Sequence, residues 1–281
     1  MGRNAGVSPP VGWISVRDYA LETMRRSTTG QSFQLIVHLA AAGVHPSDRD
    51  PSALVEGNAC AAVDVVRLAA EVSARAVIVA GSSAEYSPYR DGLLDETVAL
   101  ESTALYGATK AAGGLMALAM ARALGMPCAV LRLFNVFGPG EAPHRLLPSL
   151  HAALRVGRSV ELSTGTQIRD FIHVDDVCQA IVACLGPLSE GQLATGAYNI
   201  STGIGHTVRQ FAEAVCDAMG SPRELLAFGA LAMRPDDRPV VVGDASAYRA
   251  ATGWAPALQL PEAVARSIVE LEHDAIDENK P

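Results

Sequence analysis

The chain carries short apolar runs separated by stretches of helical character. Phe33 to Leu39 (FQLIVHL), Ala76 to Ala80 (AVIVA) and Cys128 to Phe134 (CAVLRLF) are apolar runs of strand length. Between them, Asn58 to Ala74 and the stretch after Tyr106 (Ala111, Ala112, Leu115, Met116, Leu118) read as helices. Strands that are continuously apolar are buried on both faces. The order strand–helix–strand–helix–strand therefore predicts an α/β fold with a parallel sheet covered on both sides. Ligands of such sheets bind beyond the carboxyl ends of the strands. Ala40-Ala41, Ser82-Ser83 and Asn135 fall at those ends, so they are expected to converge with Tyr106 on one crevice.

Residues 1–10 read as a tail, Val11 to Val16 as a short strand, and Asp18 to Arg26 as a helix capped by Asp18. The second half is less regular. Leu146 to Val156, Val208 to Met219 and Leu260 to Glu272 read as helices, and Ser159 to Leu162 and Tyr198 to Ile200 as strands. Arg169 to Val174 leads into a helix from Asp175, and a smaller α/β lobe is expected after Gly138-Pro139-Gly140. The expected division is 1–145 and 146–281.

Composition bounds the function. The 281 residues are 49% hydrophobic and 5% aromatic, which suits small-residue packing of helices on a sheet. The net charge of −8 lacks the electrostatic footprint for nucleic acid or an anionic membrane. Cys60, Cys128, Cys178, Cys184 and Cys216 show no Cys-x-x-Cys spacing and read mostly as small buried hydrophobes. Met1 to Trp13 has no apolar signal-peptide core, and Arg122 interrupts the longest apolar stretch. A cytoplasmic location is expected.

Candidate chemistry centres on Tyr106 and Lys110. They are four apart, so a helix places them on one face. An ammonium beside a phenol is expected to lower its pKa from about 10, making it a proton donor and acceptor near neutral pH. Of 22 Lys and Arg residues, only Lys110 and Lys280 are lysine, and a guanidinium does not replace a compact ammonium. Taken alone, Tyr-x-x-x-Lys equally describes a core tyrosine followed by a solvent-facing lysine.

Several stretches together resemble the extended short-chain dehydrogenase/reductases, in particular the nucleotide-sugar epimerases, dehydratases and reductases of the NAD-dependent epimerase/dehydratase family. They are Val37 to Ala41, Asn58, Gly81 to Tyr86, Tyr106 to Lys110, Leu131 to Gly140, Arg169 to Val177, Tyr198 to Ile200 and Arg234 to Asp237, in the family's order. The resemblance implies a Rossmann-like dinucleotide-binding half followed by a substrate lobe, with NAD or NADP as cofactor and a nucleotide-diphosphate sugar as substrate. It implies that Ser82, Tyr106 and Lys110 are catalytic. Ala40, Ala41, Asn58, Tyr106, Lys110 and Phe134 would line the cofactor, and Ser83, Asn135, Arg169 and Arg234 the substrate. It also implies dimerisation through a bundle that includes the Tyr106 helix. No metal is implied.

Other readings stand beside these. Ser82 and Ser83 suit a turn cap, Asn58 a helix N-cap, and His38 a structural histidine. Asp175 or Asp176 suits a helix cap better than a metal site with His173, and Arg169 suits a surface pair with Asp170.

The chain departs from the family pattern at its start. Gly2, Gly6, Gly12 and Gly30 do not form the Gly-x-x-Gly-x-x-Gly turn that cradles a dinucleotide pyrophosphate, so the dinucleotide half looks N-terminally shortened. A start placed too far downstream, a decayed gene, and Val11 to Val16 filling a vacant central slot are the competing explanations. Weak dinucleotide binding or poor solubility is expected, and a non-catalytic binding remnant is the alternative function. Dehydratases of the family place an Asp-Glu pair where Ser83 and Ala84 stand, so elimination of water is not expected. Epimerisation and 4-keto reduction remain equally expected.

Overall fold

The computed structural model describes residues 20–277 apart from 32, 46, 49, 89–91 and 235–236. The expected Val11 to Val16 strand and Asp18 cap lie outside these residues. In chain order come α1 (Leu21–Thr28), β1 (Leu35–His38), α2 (Pro51–Leu54), a π-helical segment (Val55–Cys60) and α3 (Ala61–Glu71). β2 (Ala76–Ser82), a 3-10 turn (Ser83–Glu85), β3 (Leu93–Leu94), α4 (Leu105–Leu124), β4 (Cys128–Leu133) and β5 (Asn135–Phe137) follow. Then come α5 (Leu146–Leu154), β6 (Val160–Leu162), β7 (Ile168–Arg169), β8 (Phe171–His173), α6 (Val174–Ala183), α7 (Leu185–Ser189) and β9 (Gly196–Ile200). The chain continues with β10 (His206–Thr207), α8 (Val208–Ala218), β11 (Leu226–Phe228), β12 (Val240–Gly243), α9 (Ser246–Thr252) and α10 (Leu260–Asp277).

The main sheet has the order β1-β2-β4-β9 and is parallel throughout. Alternation along its strands explains the continuous apolar runs. Val77, Val79, Cys128 and Val130 pack with Val65, Val66, Ala117 and Ala121 of α3 and α4 on one face. Ala76, Ile78, Ala129 and Leu131 pack with Val177, Ala180, Tyr248 and Trp254 on the other. Each fully buried Val, Ile or Leu contributes about 1.5–3 kcal/mol, so both layers are held by the same two strands.

The helix after β1 begins earlier than its apolar pattern indicates. Asp50 caps it by accepting Ala53 N–H at 2.7 Å, with Pro51 in the first turn. Asn58 therefore sits inside the π-helical segment and is not an N-cap. α4 ends where Gly125 takes a left-handed conformation (φ 65°).

The second half has its own core. Phe137, Phe171 and Phe211 pack with Leu147, Leu150, Val215 and Val264 from α5, α8 and α10, and the Phe171 and Phe211 rings stack at 4.3 Å. Three strand pairings cross residue 145: β9 returns to the main sheet, β3 joins the sheet β10-β7-β12-β3, and β5 pairs with β8. No helix among the described residues is long and apolar enough to cross a membrane.

Candidate active site

At the carboxyl end of β2 the chain turns sharply. Ser82 caps the 3-10 turn: its Oγ accepts Ala84 N–H at 3.2 Å, and the Glu85 carboxylate accepts Ser82 N–H at 2.7 Å. The cap reading of Ser82 holds, and its hydroxyl also interacts with the Tyr106 phenol. α4 approaches this turn closely because residue 107 is glycine. A Cβ there would stand 2.1 Å from the Ala84 carbonyl oxygen. That contact sets Tyr106, one residue earlier, against the Ser82 turn.

One helical turn on, Lys110 is buried, and its Nζ donates to the Ala80 carbonyl of β2 at 2.5 Å. The loop after β1 closes the third side. Gly43 has φ 79°, and a Cβ on it would meet Leu54 at 2.3 Å and the Tyr106 ring at 3.3 Å. Asn58 pins this loop. Its side chain accepts Ala42 N–H at 2.8 Å and donates to Ala42 O at 3.1 Å and to Thr109 Oγ1 at 3.0 Å. Thr109 Oγ1 in turn donates to Tyr106 O at 3.0 Å. Ser82, Tyr106, Lys110, Asn58 and the loop bearing Ala40 and Ala41 thus form one assembly. Asn58 acts in it through the main chain of its neighbours.

The electrostatics differ from the expected activated phenol. Burial raises the Tyr106 pKa, the Ser82 hydrogen bond opposes the rise, and the Glu85 charge adds to it. Lys110 is lowered by burial, with Glu85 opposing. The ammonium points to the β2 main chain rather than to the phenol, so Tyr106 keeps its proton at neutral pH. His38, at the end of β1, is pushed down to about 4 by burial and by the facing Lys110, in keeping with a structural, neutral histidine.

The other expected site residues are placed as follows by their own contacts. Phe134 is buried with Tyr86, Leu94 and Val241, and its ring fills the space over Gly243, so its side chain is a core element. Ser83 is the first residue of the 3-10 turn. Asn135 pairs with Phe171 between β5 and β8, and its N–H donates to Asp170 O at 3.0 Å. Arg169 does not pair with Asp170. Its guanidinium pairs with Asp237 and donates to the carbonyls of Ile168 (2.8 Å) and Arg238 (2.7 Å). Asp170 is buried and accepts from Thr202 N–H (2.8 Å), Thr202 Oγ1 (2.7 Å), Gly203 N–H (2.9 Å) and Gly243 N–H (3.3 Å). Arg234 is exposed. The cap of α6 is His173, whose Nδ1 accepts Asp175 N–H at 3.2 Å, while Asp176 accepts from Ala257 and Leu258. No group of three metal-ligating side chains occurs among the described residues.

Three charged residues near the assembly went unread in the sequence: Glu85, Arg132 and Arg145. Ser82-x-x-Glu85 is a capping-box pattern, and Arg132 is a charge inside an apolar strand, so both carried a signal. Arg145 faces Tyr106 from the residue before α5 and lowers its pKa, and only the fold brings it there.

The parallel sheet with helices on both faces and a polar group at its carboxyl end is the architecture of Rossmann-fold epimerases and dehydratases. The chain belongs to the NAD dependent epimerase/dehydratase family, whose model matches residues 13–201. A probable UDP-glucuronate 4-epimerase of Rhizobium meliloti (strain 1021) is 29% identical over 253 residues, spanning 84% of this chain and 73% of the relative. A dTDP-glucose 4,6-dehydratase of Streptomyces griseus is 28% identical over 250 residues, spanning 87% of this chain and 73% of the relative. Among solved structures, MoeE5 in complex with UDP-glucose and NAD is 28% identical with a TM-score of 0.77, over 86% of this chain and 80% of that one.

Proposed function

We propose that the chain converts a nucleoside diphosphate sugar at C4, by epimerisation or by reduction of a 4-keto group, with Ser82, Tyr106 and Lys110 as its reacting residues. The observation that carries this reading is the Ser82 hydroxyl acting on the Tyr106 phenol at the end of β2, with buried Lys110 one turn further on. The donor set fits a nicotinamide ribose. An ammonium has three N–H groups, and Ala80 O takes one of those of Lys110. When bound, NAD or NADP would supply the hydride acceptor and donor. Tyr106 Oη gives its proton to the sugar oxygen when the ketone is reduced, and it takes the hydroxyl proton of an alcohol only after losing its own. Ser82 Oγ holds the sugar oxygen against the phenol. The protonated phenol of the free chain is the form that donates to a ketone. Arg169 and Arg234 hold the diphosphate, for which the guanidinium fork is suited. Relatives named for UDP and dTDP sugars outnumber the one named for a GDP sugar, which makes a uridine or thymidine diphosphate sugar the first choice. Ser83 and Ala84 supply no acid or base, so dehydration is not part of the reading.

A second reading, a nucleotide-sugar or dinucleotide binder without turnover, is favoured by the raised Tyr106 pKa and by Lys110 pointing to Ala80. One experiment separates the two. The chain is incubated with a panel of nucleotide sugars and 4-keto sugars, with NAD and with NADP, and C4 is followed by NMR. Inversion or reduction at C4 that Tyr106→Phe abolishes is expected. Calorimetric binding of nucleotide sugar and cofactor with no change at C4 would overturn the enzyme reading and leave the second. We also place a second copy against the α4 face bearing exposed Leu115 and Met116, which sedimentation at rising concentration tests.

A further inference from the structure

Behind Ser82 lies a charge pair that the proposed reaction does not use. Glu85 is 0% exposed and Arg132 5%. One Glu85 oxygen accepts Ser82 N–H at 2.7 Å, and the other accepts Arg132 Nε at 3.0 Å. Arg132 Nη1 donates to Tyr86 Oη at 3.1 Å, and Tyr86 Oη donates to Asn199 Oδ1 at 2.6 Å. Gly81 of β2 leaves room for the carboxylate, since a Cβ on it would stand 2.8 Å from Glu85 Oε1. A buried ion pair is a poor source of stability, because desolvation offsets its attraction. Its place directly under the Ser82 turn calls for another role.

The charged and titratable groups around it come from every packed element. Arg132 faces Glu85 from β4, and Lys110 and Tyr106 feel its charge from α4. Tyr86 and Glu96 face Arg132, Arg145 faces Tyr106, and His38 on β1 faces Lys110. The Glu85 charge acts on the two reacting groups in one direction: it favours the protonated form of both.

We propose that Glu85, held by Arg132, is a positioning residue of this site: its carboxylate fixes the Ser82 turn and sets the charge that Tyr106 and Lys110 feel. The inference rests on reading Ser82, Tyr106 and Lys110 as the reacting group, yet its first test needs no turnover. Glu85→Gln keeps an acceptor for Ser82 N–H and removes the charge. Glu85→Gln/Arg132→Met removes both charges and avoids a lone buried guanidinium. Phenolate absorbance is titrated in each background with and without Tyr106→Phe, so that the difference reports Tyr106 alone, and circular dichroism reports folding.

The Tyr106 midpoint is expected to move to lower pH in whichever variant folds, with severalfold more phenolate at a fixed pH below the midpoint. An unchanged midpoint in a folded variant overturns the proposal. Failure of both variants to fold also overturns it, by assigning the pair to the core alone. In turnover, Glu85→Gln is expected to lower kcat about tenfold with KM for the nucleotide sugar nearly unchanged, and to shift the pH profile with Tyr106. A chain that shows the titration shift but no turnover keeps this inference and loses the function proposed above.

Discussion

The end of β2 and the arginine-bearing rim around β7 use charge in opposite ways. At β2, main-chain groups and buried neighbours hold Ser82, Glu85, Arg132 and Lys110, and each of these contacts is drawn from a strand, from α4 or from the turn between them. At the rim, Arg169 is held by Asp237 and by the Arg238 carbonyl, both from the irregular stretch before β12, and Arg234 is exposed. The first region has its geometry set before any ligand arrives. On the function proposed above, the second exchanges its carboxylate partner for a phosphate, so its geometry in the complex is decided on binding. Chemistry that tolerates little displacement belongs in the first, and recognition that varies with the substrate belongs in the second.

The comparison can be broken at four points. The largest effect is expected at Tyr106: Tyr106→Phe should lower C4 turnover about 10²- to 10⁴-fold with the fold intact, as measured by NMR of the product and by circular dichroism. A loss below tenfold would remove Tyr106 from the chemistry. Next is Asp170, buried beside the rim arginine Arg169. Asp170→Ala strips the acceptor from Thr202, Gly203 and Gly243 and should cost about 3 kcal/mol in urea unfolding.

The third point is pH. The folded pKa of His38 lies near 4, below its ordinary 6.5, so the unfolded chain binds the extra proton between these values. Stability contributed by neutral His38 is complete above about 6.5 and is lost as pH falls toward 4. At pH about 5 the loss amounts to about 2 kcal/mol. The stability difference between the wild-type chain and His38→Gln should therefore shrink on acidification, and a pH-independent difference would show that folding leaves the His38 pKa unshifted. The smallest effect is expected at the rim: Arg169→Ala should raise KM about tenfold, near 1.4 kcal/mol, and leave kcat almost unchanged. A fall in kcat instead would place Arg169 with the first region.

These two regions also differ in how far the sequence revealed them. The apolar runs on β2 and β4 and the helix after Tyr106 are periodic over enough residues to define the sheet and its crevice, and Tyr106 and Lys110 follow from spacing on one helix. Glu85 was readable from the capping-box spacing and was passed over. Arg145 and Asp237 were not readable, because they reach their partners through loops whose course no local pattern records. Phe134 and Arg169 show the same limit from the other side. Placing a residue at a strand end does not say whether its side chain turns into the core, as Phe134 does, or toward a carboxylate 68 positions later, as Arg169 does.

The π-helical segment at Val55–Cys60 holds one more residue per turn than the helix on either side of it. Each residue of an α-helix advances the chain by about 100°. Deleting a single residue such as Glu56 would let the winding become regular, and it would rotate either Asn58 away from Ala42 and Thr109 or the whole apolar face of α3 away from the sheet. The segment is thus a phase-shifter, tuned to satisfy two angular demands that no uniform winding meets together. A one-codon deletion there should be far more damaging than any substitution at the same exposed position.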